Sequence, residues 1–147
     1  MSAYESRRRH YVDRYWEAHF RRDWATMASF FADDCHYTDV GVPGPGGTGP
    51  EAIIARLKVG IEPLEWYEHR PRHTIAEGDI VVTEHVEVWG FHTGEVVVHP
   101  FTSVMEVQER EDRLFITRWH DYSNIGNLID NAPAWWLERI ASAARPA

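Results

Sequence analysis

DWATMASFFADDCHYTDVGVPGPGGTGPEAI, residues 23–53, runs through a helix, a strand, a glycine loop and a second helix start. Asp23 precedes Trp24, Met27, Phe30 and Phe31, which recur at helical spacing, so the stretch predicts an N-capped helix carrying those four residues. CHYTDV, residues 35–40, then reads as a short strand. GVPGPGGTGP, residues 41–50, is a loop. It lacks the Lys-Ser/Thr ending of a phosphate-binding loop and is better read as a turn. Pro50 suits the first position of the next helix, whose apolar face is Ala52, Ile53, Ile54 and Leu57.

Upstream, Tyr11, Val12, Tyr15, Trp16 and Phe20 predict an amphipathic helix over residues 3–22. Downstream the pattern changes. WYEHRPRHTIA, DIVVTEHVEVWGF, EVVVHPFTSVMEV and RLFITRWHDY read as four strands separated by EGD, HTG and QERED, with His92-Thr93-Gly94-Glu95 as a hairpin turn. The tail, with Ile125, Leu128, Ile129, Trp135, Trp136, Leu137 and Ile140, reads as one or two short helical pieces, and Pro133 fits the start of the second. Helices first and sheet afterwards predict an α+β domain. Its helices pack on one face of a curved, mixed or antiparallel sheet, making a cone with an internal pocket.

At 147 residues the chain suits a single domain spanning 1–147. Hydrophobic residues at 44% and aromatics at 13%, seven of them Trp, predict a packed core rather than disorder. A net charge of −8 with scattered arginines argues against nucleic-acid binding. Apolar runs are far too short to span a membrane, and the basic N-terminus has no apolar signal core after it. One cysteine, Cys35, excludes an intrachain disulfide, suits the cytoplasm and reads as a buried thiol. His69 and His73 flank Pro71, which rules out a helical metal-binding pair, so neither a metal nor another cofactor is expected.

The strands carry ionisable groups in pairs. Residues two apart share a face. Tyr37 therefore accompanies Asp39; Thr83, His85, Glu87 and Trp89 stand together; and Asp121 is joined by Trp119, Thr117 and Phe115. Parity alone leaves both orientations open for His85 and Glu87, because the opposite face, with Ile80, Val82, Val86 and Val88, is the more hydrophobic one.

The opening stretch resembles the start of the nuclear transport factor 2-like superfamily: a helix ending in aromatic-aromatic-Ala-Asp-Asp, a short strand, a glycine loop, then Gly-Pro-Glu-Ala-Ile. With TEHVEVW and RWHDYSN added, residues from about Asp23 to Ile129 most resemble the limonene-1,2-epoxide hydrolase family. That resemblance implies that Tyr37 is the water-holding tyrosine and Asp121 the water-activating aspartate. Asp39 stands in place of the family's asparagine, His85 in place of its bridging arginine, and Glu87 in place of its second acid. It also favours the pocket-facing orientation of His85 and Glu87, and it implies a homodimer.

The expected chemistry follows. Asp121, with Tyr37 and Asp39, deprotonates a water that attacks an epoxide while Glu87 protonates the departing oxygen. A protonated His85 couples the two acids and neutralises Asp121. Trp119, Trp89, Phe101 and Phe115 line a site for a small hydrophobic epoxide, terpenoid or polyketide-like molecule. The same superfamily holds ketosteroid isomerases and polyketide cyclases, which makes an isomerase, cyclase or dehydratase the second reading. A non-catalytic ligand-binding domain is the third.

Overall fold

A computed structural model describes residues 1–144; the last three residues of the expected domain, 145–147, lie outside the described residues. The first helix, α1 (Ala3–Phe20), starts at a capping box in which Ser2 and Glu5 satisfy each other's backbone N–H groups. Its stripe of Tyr11, Val12, Tyr15, Trp16 and His19 is buried. Arg22, at φ 54°, turns the chain, and Asp23 caps α2 (Trp24–Ser29) by accepting from the Thr26 N–H. α2 is shorter than expected. Phe30 caps it, and Phe31 already belongs to β1 (Phe31–Val40), where it pairs with Ile116 of the last strand. Helical spacing in sequence gives way there to a long-range strand pairing.

The glycine loop folds back so that the two-residue β2 (Gly47–Thr48) pairs with β1, Gly47 opposite Tyr37. Gly46 sits at φ 72°, and a Cβ there would lie 2.1 Å from the Tyr37 carbonyl oxygen, so only glycine allows this close return. Pro50 opens α3 (Pro50–Ile61) as expected. Four long strands follow: β3 (Trp66–Glu77), β4 (Ile80–Gly90), β5 (Val96–Arg110) and β6 (Arg113–Ser123). The tail forms two helices, α4 (Ile125–Asn131) and α5 (Ala134–Ala144).

The six strands make one curved, unclosed sheet in the order β2-β1-β6-β5-β4-β3. Only β1 and β6 run parallel; the remaining pairs are antiparallel. This is the expected α+β cone. α1 lies across β3 and β4, while α3 and α5 pack together over the other end. Arg8, almost fully buried, ties α1 to the sheet, its Nε donating to Asp79 Oδ1 at 3.0 Å and to the Val107 carbonyl at 2.9 Å. No helix among the described residues is long and apolar enough to cross a membrane.

One irregularity decides which side chains of β6 face inward. Glu106 pairs with Arg118 and Val107 with Ile116, so Thr117 is an extra residue in a bulge. Leu114, Ile116, Trp119 and Asp121 are all buried in consequence. Thr117 and Phe115, expected on the face of Asp121, are displaced from it. Thr117 bonds Glu106 instead, and Phe115 lies beneath the Arg113 guanidinium, 5.1 Å from ring centroid to carbon. Trp119 is the centre of the core, with the rings of Tyr37, Tyr15, Trp16 and Phe31 at 4.5, 5.3, 5.6 and 6.0 Å.

Candidate active site

Between α3, α5 and the inner face of the sheet is a cavity of about 430 Å³. Its wall is mainly apolar, with Val42, Leu57, Ile61, Leu128, Trp136 and Ile140 among its lining residues. Into it the strands bring Tyr37, Asp39, Glu87, Trp89, Phe101 and Asp121. Three expected members are not in the wall. Phe115 is excluded by the bulge. Trp119 lies in the core beside Asp121, and His85 lies one hydrogen-bonded side chain away from it.

Asp121 stands on β6 beside Asp39 on β1, the two in register across the parallel pair. One of its oxygens, Oδ1, accepts from the Trp119 indole N–H and from the Ser103 hydroxyl, each at 2.5 Å. Its Oδ2 has no protein hydrogen-bond partner among the described residues, and the residue lines the cavity. Burial, then the nearby charge of Asp39, pushes the Asp121 pKa well above the usual carboxylate range, although the two donors oppose this. Asp39 itself accepts from the Tyr37 hydroxyl at 2.7 Å, and Arg56 Nη2 reaches its other oxygen at 3.4 Å.

Glu87 repeats the design of Asp121 on β4. Its Oε2 accepts from the Tyr67 hydroxyl and from the Trp89 indole N–H, both at 2.8 Å. Burial raises its pKa to about 7, those two donors hold it down, and the charge of Asp39 adds to the rise. Behind Tyr67 stands His19, whose Nε2 is 3.0 Å from the phenol oxygen and whose Nδ1 is 3.0 Å from the Tyr15 hydroxyl. Tyr67 has one proton and gives it to Glu87, so His19 donates from Nε2 and accepts at Nδ1. A neutral imidazole fits both bonds. Burial, with His85 and His69 nearby, accordingly holds the His19 pKa well below its usual value.

His85 departs from expectation in two ways. Its Nδ1 meets His69 Nε2 at 2.9 Å and its Nε2 meets Ser103 Oγ at 3.0 Å, so both ring nitrogens are taken and neither touches Glu87. It reaches Asp121 only through Ser103. It is also neutral rather than cationic, because burial, and then the neighbouring His69, lower its pKa to about 3. Asp121 is therefore tolerated in the interior by two short donors, not by an imidazolium.

Sequence reading missed His19, Arg56, Tyr67 and Ser103. Three carried a signal. His19 follows Tyr15 by one helical turn on the buried stripe of α1. Tyr67 and His69 share strand parity on β3, and Ser103 interrupts the alternation of Phe101 and Met105 on β5. Arg56, on the helix that covers the cavity, had none. Cys35 is fully buried, as expected, and burial raises its thiol pKa to about 12. Among the described residues no three of His, Cys, Asp and Glu are grouped to hold a metal ion.

The arrangement has a clear chemical capacity. Two carboxyl groups are each fixed through one oxygen by a hydroxyl and an indole, and each turns its other oxygen to an apolar hollow. Buried in this way, Glu87 exchanges its proton near neutral pH and Asp121 holds one more tightly than an ordinary carboxyl, as general acid–base chemistry requires.

Solved structures share this fold. An LEH-like epoxide hydrolase from M. tuberculosis is 20% identical, with 97% of this chain and 98% of that one covered and a TM-score of 0.69. A protein assigned as a polyketide cyclase, from Xanthomonas campestris pv. campestris, is 26% identical over 89% of this chain and all of its own (100%), with a TM-score of 0.72. A type 2 hexachlorocyclohexane dehydrochlorinase is 14% identical over 79% of this chain and 84% of its own, with a TM-score of 0.65. No curated protein matches at the level of sequence. The SnoaL-like domain family matches residues 12–115. With the cone and its acid-lined cavity, this match makes the chain a member of the SnoaL-like domain family, within the nuclear transport factor 2-like fold.

Proposed function

We propose that the protein is a cofactor-independent acid–base enzyme that hydrolyses an epoxide on a small hydrophobic molecule. The observation that carries this reading is the pairing of Asp39 with Asp121 on adjacent parallel strands, in register and on one face. Neighbouring strands lie about 4.8 Å apart. A water donating to both carboxyl groups has its lone pair turned toward the cavity. Arg56 offsets one of the two charges. The water oxygen bonds to an epoxide carbon as that carbon's bond to the ring oxygen breaks. Asp121 takes the water proton, and Glu87 gives its own to the departing oxygen, leaving a vicinal diol. The apolar wall, with Trp89 and Phe101, suits a terpenoid-like or polyketide-like ring.

A second reading draws support from Glu87, whose pKa of about 7 suits a base as well as an acid. With Asp121 protonated, Glu87 removes a proton beside a carbonyl and Asp121 donates to the developing oxyanion. Turnover in oxygen-18 water separates the two. Hydrolysis places the label in the diol, and Asp121→Asn abolishes it. Solvent deuterium entering a ketone without addition of water would favour the isomerase, and undiminished hydrolysis by Asp121→Asn would reject the assignment of Asp121.

A further inference from the structure

Asp121 has a second hydrogen-bonded connection, which leads away from the cavity. From Oδ1 it passes to Ser103 Oγ at 2.5 Å, to His85 Nε2 at 3.0 Å and, across that ring, from Nδ1 to His69 Nε2 at 2.9 Å. The path takes one residue from each of β6, β5, β4 and β3, and β3 is an edge of the sheet. Trp16 covers the inner ring, its centroid 4.7 Å from that of His85, and Phe20 stacks on the outer one at 4.1 Å and 7°. Ser103 and His85 are buried, whereas His69 is half-buried. Among the described residues its Nδ1 has no protein partner, and it is not enclosed, so it opens to solvent.

We infer that Ser103, His85 and His69 form a proton relay that resets Asp121 from outside while the cavity is occupied. The inference rests on the proposed function, in which each turnover leaves a proton on Asp121 and takes one from Glu87; the relay exports the first, and Glu87 regains an equal one from water as the diol leaves the cavity. That proton has no aqueous exit past a hydrophobic substrate. The relay can hold either of two polarities. In one, reached when a half-turn of the carboxyl brings the newly protonated oxygen to Ser103, Asp121 donates to Ser103, Ser103 to His85 Nε2, and His85 Nδ1 to His69 Nε2, with a proton on His69 Nδ1. If each proton moves one bond outward, His69 Nδ1 releases its proton to water. Every hydrogen bond then points the other way, toward an ionised Asp121. One proton leaves, none accumulates, and no ring is left charged. Hydroxyl and imidazole groups both donate and accept, as this movement requires. His19 and Glu87, which flank the relay, lie outside its path because their bonds go to Tyr67.

Infrared difference spectroscopy after a light-triggered pH jump follows the carboxyl band of Asp121, assigned by its loss in Asp121→Asn. Re-equilibration of that band should slow by about tenfold or more in Ser103→Ala and in His69→Ala, on the scale of a lost proton-transfer partner. Ser103→Thr, which keeps the hydroxyl, should retain the rate, and added imidazole should restore it in His69→Ala. An unchanged rate in either alanine variant, or slowing in His69→Ala that imidazole does not reverse, would overturn the relay. His69→Ala alone suffices should Ser103→Ala not fold. The jump is run with the cavity filled by cyclohexane, an unreactive apolar probe that closes the aqueous route to Asp121, and it needs no turnover, so failure of the relay and failure of the hydrolase reading are separate results.

Discussion

Replacing Glu87 with glutamine tests the electrostatics of the cavity without any knowledge of substrate. The amide keeps an oxygen to accept from Tyr67 and Trp89, so the packing is preserved and only the ionisation is removed. Folding raises the Glu87 pKa from 4.5 to about 7. At about 1.4 kcal/mol for each pH unit, that rise amounts to about 3 kcal/mol. The sign follows from which state holds the proton more tightly. Below about pH 4.5 the carboxyl is neutral in both states and folding incurs no penalty. As pH rises toward 7 the unfolded chain ionises first, and wild-type stability falls, with the full loss present above the folded value. Urea unfolding at pH 4.5 and at pH 8.5 should therefore find Glu87→Gln close to wild type at the lower pH and more stable by about 3 kcal/mol at the higher. Asp121 titrates in the same direction, so some slope should persist in the variant. Parallel stability profiles for the two proteins across this range would refute a raised Glu87 pKa, and the assignment of an acid–base role to it would lose its physical basis.

Tyr67→Phe removes one of the two donors that hold the Glu87 pKa down. The limb of the kcat/KM profile that lies near pH 7 should move to higher pH, and a limb that stays in place would show that Glu87 is not the group being titrated. Trp119→Ala should cost about 3–5 kcal/mol, as removal of a buried tryptophan does. A thermal melt reads it directly, and a loss below about 1 kcal/mol would contradict the central place given to this ring.

The order of elements was legible because helical and strand periods change abruptly at residue 66 and because glycine and proline mark the turns. Tyr37, Asp39, Glu87 and Asp121 were legible through strand parity once a resemblance had chosen between the two faces of β4. Parity failed on β6, where the bulge at Thr117 shifts the phase and turns Phe115 away from the cavity. A bulge of this kind has no local signature: it arises from pairing with Glu106 and Val107 on the neighbouring strand. The boundary of α2 failed for the same reason, since Phe31 answers to Ile116 and not to its helical neighbours. The charge of His85 was misjudged because an imidazole with both nitrogens already engaged, enclosed by Trp16 and Phe101, has a pKa set by its surroundings. Those surroundings come from three other elements.

The parallel junction of β1 with β6 also has a kinetic side. Every other long pairing in the sheet joins strands that follow one another in the chain, and such local contacts close early and at low entropic cost. This one must wait for the segment around Asp121 to return to a partner near the N-terminus. The mutual repulsion of Asp39 and Asp121 is thus postponed to the last closure, when the rest of the scaffold is already assembled and able to hold them together. A nascent chain lacking its final quarter would hold the β3-β4-β5 meander and no reactive centre.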